Sequence, residues 1–365
     1  MTRIIFFIIA FAILVVLSFC SVKIFSTLLR VSEPWVKYIN IFGIVFPFII
    51  ALAMTVSRFS DGILARIFYA KIMILTGIMF YIFLGAVLIG IMLLADKFFH
   101  FDLDWQNLSK IILIVAFSLS TLGFIQSFFL KTTAYTISKE DSKNNLSNKK
   151  IVLIADTHLG LINQTKLSKR AVSKILSEKP DAVLIAGDFF DGPDFRLQKS
   201  MNEWSILAKQ LPVYYAPGNH EEYGPYAKFI NALKNSGVTV LEDDSAYFEG
   251  VQIMGLKYRT KGQEKEVNEV LTKIYDGKSP SILINHPPIF QSEAKNHGVF
   301  LEVSGHSHKG QFWPFGYIVK AVYGKYYYGL HKYENLTQIT TSGVGTASVP
   351  FRTFNTPEIV VINFE

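Results

Sequence analysis

Five short segments in the second half of the chain carry side chains able to hold divalent metal ions, and each stands at the end of an apolar run. They are Asp156-Thr157-His158, Gly187-Asp188 with Asp191 three residues on, Gly218-Asn219-His220-Glu221, Asn285-His286, and Gly305-His306-Ser307-His308. Carboxylate and imidazole donors together suit Mn, Fe or Zn better than Ca or Mg alone. Two such ions about 3.5–4 Å apart can clamp phosphoryl oxygens and generate hydroxide near neutral pH. Taken singly, each motif is weak, because an isolated Asp-x-His or Gly-Asp is nearly always structural. Five in order, all delivering oxygen or imidazole donors, are hard to explain as packing.

The elements that must position these residues can be read from periodicity. Ile151–Ala155, Ala182–Ala186 and Val213–Ala216 are short continuous apolar runs, as expected of strands buried on both faces. Helical spacing marks Leu167–Leu176, Trp204–Leu211 and Tyr226–Lys234. Strands with less helix between them are expected at Val238–Leu241, Val251–Gly255, Ile282–Asn285 and Val299–Ser304, and strands and turns from Gln338 to Phe364. This order predicts an α/β domain with helices packed outside sheets. In open α/β sheets, ligands bind beyond the carboxyl ends of the strands, which is where all five motifs fall.

The first third of the chain reads differently. Half of the 365 residues are hydrophobic, which is high for a soluble protein. Four apolar stretches, Ile4–Leu29, Tyr38–Val56, Tyr69–Ala95 and Ile111–Leu130, suffice to cross a hydrocarbon core of ~30 Å. Pro47 is a candidate kink, Gly62–Phe68 is expected along the interface, and Asp96–Lys110, with Trp105, is expected as an interfacial loop. The first stretch is too long for a signal peptide, lacks a small-residue cleavage pattern and is followed by further spans. No charge sits mid-span to mark a transport pathway, so the region reads as an anchor.

With four spans both termini share a side. That side holds Arg3, Arg58, Arg66, Lys71 and the lysines after Leu130, against Lys23, Arg30, Lys37, Lys97 and Lys110 opposite. The bias predicts a cytoplasmic C-terminal domain. Lys131, Lys139, Lys143, Lys149 and Lys150 account for much of the net charge of +7 and suit anionic lipid. No aromatic-basic recognition module accompanies them, so nucleic acid is not an expected partner. The single cysteine, Cys20, excludes an intramolecular disulfide and a thiolate metal site, and is expected to be a small buried hydrophobe. The expected organisation is a transmembrane helical region over 1–130, a polar linker over 131–148 (densest at Lys139–Lys150) and a catalytic domain over 149–365.

The order D-x-H, G-D-x-x-D, G-N-H-E, H and G-H-x-H resembles the calcineurin-like metallophosphoesterases, over roughly Lys149 to Glu365. The closing stretch Ser342–Glu358 (SGVGTASVPFRTFNTPE), with Gly-His-Ser-His-Lys-Gly-Gln before it, is similar to one branch of small bacterial membrane-associated enzymes. That branch includes hydrolases of the pyrophosphate of UDP-2,3-diacylglucosamine. The resemblance implies two packed β-sheets flanked by helices, with two divalent metals at one edge, Mn favoured over Fe or Zn.

It further implies that Asp156, His158, Asp188 and His308 hold the first metal. Asp188 would bridge to a second, also held by Asn219, His286 and His306. His220 would act as general acid or phosphate-binding cation, and Asp191 could hydrogen-bond it and raise its pKa. Glu221 is expected behind the ligands or exposed; His100, His297 and His331 are expected at the surface or in packing. The implied partners are a phosphoester substrate, lipid-linked or nucleotide-linked, and membrane lipid, and the implied location is a bacterial cell membrane. A general phosphodiesterase of soluble substrates is the alternative within this class. A binding scaffold of the same fold is the rival class; retention of His220 and all the metal donors argues against it. A transporter or sensor is disfavoured by the short loops and uncharged spans.

Gln311–Tyr333 (QFWPFGYIVKAVYGKYYYGLHKY) is rich in aromatics with interspersed lysines. It reads either as an edge hairpin with an aromatic core or as a membrane-facing or acyl-chain-binding flap beside the metals. Arg352 could meet a phosphate or pair with a carboxylate.

Overall fold

The computed structural model describes residues 2–138, 146–162, 165–193 and 197–365, in two units. The first unit comprises the chain through Ile125 together with Val349–Phe351. Its helices are α1 (Thr2–Leu28), α2 (Glu33–Phe59), α3 (Ile63–Phe99) and α4 (Trp105–Gln126). All four are long and apolar enough to cross a membrane. Most of their surface stays apolar and exposed, while small residues such as Gly43, Ala53, Gly85, Ala86, Ser109 and Ser120 face inward. Without water to squeeze out, helices in lipid associate by close packing, and small side chains permit it.

Three expectations change here. Gly62–Phe68 is not a separate interfacial segment; α3 begins at Ile63 and runs through it, because Ile63-Leu64-Ala65 contains nothing that breaks a helix. The expected loop Asp96–Lys110 shrinks to His100–Asp104, since the polar residues on either side continue α3 and begin α4. Cys20 is exposed on α1 rather than buried; an apolar side chain on a spanning helix has no need to turn inward.

The second unit contains two six-stranded mixed sheets. The first has the order β1-β12-β2-β3-β4-β5, formed by Lys131–Ile137, Glu358–Phe364, Lys150–Ile154, Ala182–Ala186, Val213–Ala216 and Thr239–Val240. The second has the order β10-β11-β9-β8-β7-β6, formed by Gly329–Tyr333, Leu336–Thr340, Val299–Ser304, Ser281–Ile284, Val251–Gly255 and Asp244–Phe248. Leu153, Leu184, Ile253, Ile284, Val303 and Val360 meet in the core between the sheets. Helices α5 (Thr165–Ser177), α6 (Leu197–Ala208) and α8 (Tyr226–Asn235), the last preceded by the short α7 (Asn219–Tyr223), cover the outer face of the first sheet around Trp204. Helices α9 (Glu264–Ile274) and α10 (Gln291–Asn296) cover the second. Burial on both faces explains why β2, β3 and β4 read as unbroken apolar runs rather than alternating ones.

The expected linker 131–148 divides. Lys131–Ile137 is β1, which pairs in parallel with β12 from Lys131↔Glu358 to Ile137↔Phe364. Its sequence, KTTAYTI, is rich in β-branched residues and pairs on one side only, which hides a strand from a search for apolar runs. The centre of the expected linker, 139–145, lies outside the described residues. The aromatic segment is in part the expected hairpin, since β10 pairs antiparallel with β11. Before it, however, Phe315–Tyr323 forms helix α11 and Gly324–Tyr327 a 3₁₀ turn.

Candidate metal centre

The donors gather at the carboxyl ends of β2, β3, β4, β8 and β9. Asp156 (φ 54°), His158 (φ 44°), Asp188 (φ 49°), His306 (φ 65°) and His308 (φ 48°) all adopt the left-handed backbone conformation. A non-glycine residue there costs roughly 1–2 kcal/mol. The conformation turns the chain off the sheet just after each strand and swings Asp156 and His158, and likewise His306 and His308, into one place. The turns are tied to each other through the backbone: Asp156 N donates to Gly187 O at 3.0 Å, His158 N to Asp188 O at 3.1 Å, and Gly305 N to His286 O at 3.0 Å. Two glycines allow the crowding. A Cβ on Gly187, itself at φ 77°, would lie 2.5 Å from the His286 ring, and one on Gly218 would strike the Asp188 carboxylate.

Two clusters of candidate ligands result. Asp156, His158 and His308 form the first: the His158 and His308 Nε2 atoms are 3.0 Å apart, and Asp156 Oδ1 is 3.4 Å from the latter and 3.9 Å from the former. Asp188, His286 and His306 form the second: Asp188 Oδ2 is 3.1 Å from His286 Nε2, which is 3.2 Å from His306 Nδ1. Asp188 Oδ2 also lies 3.9 Å from His158 Nε2, so this carboxylate stands between the clusters. His286 Nδ1 donates to Ala186 O at 2.7 Å, which leaves Nε2 to face the cluster. The buried Asn219 Oδ1 has no hydrogen-bond partner among the described residues.

The electrostatics suit cations. Burial holds the His158 imidazole down at about 4 and His306 at about 3, and keeps His308 well below its ordinary value. At neutral pH these rings are uncharged, with a lone pair to donate. Burial pushes the Asp156 carboxyl up to about 7. Burial would raise Asp188 as well, but the adjacent His286 holds it well below the usual carboxylate range. Conversely, burial would lower His286, yet Asp188 lifts it to about 9. Neutral imidazoles stacked nitrogen to nitrogen, a carboxylate between two clusters and an orphaned amide oxygen together fit two divalent ions.

His220 stands at the edge of this group. Its Nδ1 is 3.1 Å from Asp191 Oδ1, and its Nε2 is 4.0 Å from Asp188 Oδ2. Burial alone would lower its pKa, but the bond to Asp191 and the charges of Asp188 and Asp191 raise it. Burial works against ionisation of Asp191 too, and the same bond outweighs it, so its pKa falls. Both shifts favour the charged forms, imidazolium and carboxylate.

Glu221 takes the first of its two expected places, behind the ligands, and is not exposed. It is fully buried, and its carboxylate accepts from the backbone N–H groups of Asp188 (3.1 Å), Phe189 (2.8 Å), Phe190 (2.9 Å) and Gly218 (2.8 Å). One side chain thus ties the β3 turn to the β4 turn. Arg352 fulfils neither expectation. Its buried guanidinium donates to Ser342 O (2.6 Å) and Gly345 O (2.5 Å) and lies 3.1 Å from His308 Nδ1, on the far side of that ring from its cluster-facing Nε2. Tyr258, after β7, was not singled out from sequence, because a lone tyrosine carries no metal signature. Its ring lies 5.9 Å from that of His306 and 6.2 Å from that of His286. His297 bonds Glu293 O and Thr272, and His331 bonds Tyr328 O, both away from the clusters. His100 caps α3 in the other unit.

Residues 149–310 match the family model of the calcineurin-like phosphoesterases. This segment is a calcineurin-like metallophosphoesterase domain. A metal-dependent phosphoester hydrolase is in keeping with the two donor clusters. The chain is similar to an uncharacterized metallophosphoesterase of Helicobacter pylori, at 28% identity over 69% of this chain and 70% of that protein. It is similar to an uncharacterized metallophosphoesterase of Aquifex aeolicus, at 27% identity over 69% of this chain and 98% of the relative. A transmembrane protein with metallophosphoesterase domain from Danio rerio matches at 28% identity over 64% of this chain and 56% of its own length.

Proposed function

We propose that this protein is a membrane-tethered two-metal hydrolase of a phosphodiester or pyrophosphate bond in a lipid-linked or nucleotide-linked substrate of the UDP-2,3-diacylglucosamine type. The observation that carries the reading is the convergence of two donor clusters on a shared carboxylate, Asp188, beside the hydrogen-bonded His220–Asp191 pair. In this proposal Asp156, His158, Asp188 and His308 hold one ion, and Asp188, Asn219, His286 and His306 the other, with Mn favoured. When bound, such ions supply Lewis acidity toward phosphoryl oxygens and a nucleophile at neutral pH. His220 holds a proton at Nε2 for the leaving-group oxygen, and Asp191 fixes the ring through Nδ1 and keeps it charged. Tyr258, together with Tyr223, whose ring lies 5.3 Å from His220, forms an aromatic rim that would orient the substrate and limit water.

The membrane part of the proposal is supported by four apolar helices, and the Lys/Arg distribution favours a cytoplasmic hydrolase domain. The test is hydrolysis by the purified full-length protein with added Mn, across soluble aryl phosphates and a nucleotide-linked diacyl lipid. His220→Ala should sharply lower turnover of the nucleotide-linked lipid, whose leaving group needs the proton most. Full activity on that substrate after this substitution, or activity that ignores added metal, would remove the reading.

A further inference from the structure

We infer that helix α11, Phe315–Tyr323, is a bilayer-docking helix that lies in the headgroup region of an anionic membrane beside the metal centre. None of its residues is buried. Tyr317 is 71% exposed, Ile318 56% and Val322 49%, and Trp313 just before the helix is exposed as well. A helix of this composition leaves apolar surface in water unless something covers it. Aromatic rings beside aliphatic side chains are what the membrane interface accommodates.

Two further observations identify the occupant as lipid. From Lys309 to Tyr333 the chain carries Lys309, Lys320, Lys325 and Lys332 and no aspartate or glutamate. That charge complements anionic headgroups. It also opposes a second copy, because an isologous pair would bring the same lysines together with no carboxylate to meet them. The second observation is continuity with the point where the chain leaves its last apolar helix. Gln126, the final residue of α4, donates to Thr356 Oγ1 at 2.9 Å and accepts from Phe354 N at 3.0 Å, and Phe354 is itself 61% exposed. Thr353 N donates to Gln311 O at 3.2 Å, just before α11. Lys131 Nζ donates to the hydroxyl of Tyr328, just after it, at 3.4 Å. The aromatic segment is therefore bonded on one side to Lys131, a few positions past α4, and on the other to Thr353, the neighbour of the Phe354 that bonds Gln126. At the other end of α11, the Tyr323 ring lies 5.9 Å from that of His306. Docking of the helix thus sets the metal centre at headgroup depth.

The test uses the full chain with Cys20→Ala, an environment-sensitive fluorophore on Ile318→Cys, and nanodiscs of phosphatidylcholine and phosphatidylglycerol. A second label on Tyr317→Cys and a control label on Lys265→Cys, at an exposed site on α9, complete the set. Emission from positions 317 and 318 should be lost to a doxyl lipid and be insensitive to aqueous iodide, while position 265 shows the reverse. Iodide quenching at 317 and 318 equal to that at 265 overturns the inference. Shielding from both quenchers also overturns it, because a protein then covers the helix. Turnover of a soluble aryl phosphate at the parent rate shows that each variant is folded. Neither quenching readout requires hydrolysis, so failure here leaves the proposed catalysis standing.

Discussion

Replacing Asp191 by asparagine tests the assignment of His220 as an acid. The substitution keeps an oxygen facing His220 Nδ1, 3.1 Å away, but removes the negative charge. A hydrogen bond to a charged group is worth about 1.5–3 kcal/mol and a neutral one about 0.5–1.5, so roughly 1–2 kcal/mol of preference for the imidazolium is lost. At about 1.4 kcal/mol per pKa unit, the His220 pKa falls by about one unit. The sign follows from which form is active. The protonated ring is present below its pKa and lost as pH rises through it, so the alkaline limb of kcat/KM should move down by about one unit. The rate should be little changed at low pH and fall about tenfold above both pKa values. The assay is a pH profile with two aryl phosphodiesters, one with a good and one with a poor leaving group. A general acid matters chiefly for the poor one. Because Asp191 Oδ2 also lies 3.9 Å from His158 Nδ1, metal content is measured alongside. An unmoved alkaline limb at equal metal content refutes the reasoning. A shifted limb with equal loss on both substrates would instead make His220 a phosphate-binding cation.

Glu221→Gln should lower metal affinity at least tenfold, measured by competition with a chelator, because an amide N–H would confront backbone donors that the carboxylate now satisfies. Arg352→Lys should likewise weaken metal retention, since an ammonium cannot span Ser342 O, Gly345 O and His308 as the guanidinium fork does. Glu302 is fully buried and accepts from Asn285 Nδ2 at 3.0 Å, and burial pushes its pKa up from 4.5 to about 8. The folded state then keeps a proton that the unfolded chain has released, so stability should fall as pH rises from about 4.5 to about 8, by at most about 1.4 kcal/mol per unit. Glu302→Gln should flatten that slope in thermal melts followed through Trp204. Chelation should abolish hydrolysis by the wild-type protein and added Mn should restore it, as followed by turnover of an aryl phosphate.

The sequence made the catalytic unit legible through the coincidence of two signals, apolar runs that end and donors that begin. β2, β3, β4, β8 and β9 are buried on both faces, so their positions could be read without knowing the sheet order. β1 was missed because an edge strand of threonines looks like linker until β12, more than two hundred residues on, supplies its partner. Helix α11 was missed because its aromatics and glycines fit a hairpin as well as a helix, and only tertiary context chose. The metal donors were identifiable by type, but the parts that aim them were not. Nothing in the letters Gly-Asn-His-Glu says that the glutamate gathers four backbone donors from two turns, or that Arg352 closes over His308 from the far end of the domain.

Those aiming devices explain how five ligand positions hold a backbone conformation that side chains disfavour. Each left-handed residue costs free energy in isolation, so the turns persist only where their surroundings over-determine them. Here they do. Asp156 is held through its N–H by the β3 turn, and through its carbonyl by Gly345 N at 2.8 Å. Its carboxylate accepts from His306 N at 3.1 Å, which joins the first strand end to the last. His220 N bonds Asp188 Oδ1 at 2.8 Å, so the carboxylate between the clusters is aimed by the residue that follows Asn219. The donors are therefore aimed by the sheets and by buried hydrogen bonds between the turns. In the proposed two-metal centre, neutral imidazoles combined with carboxylates would suit Mn, Fe or Zn better than Ca or Mg.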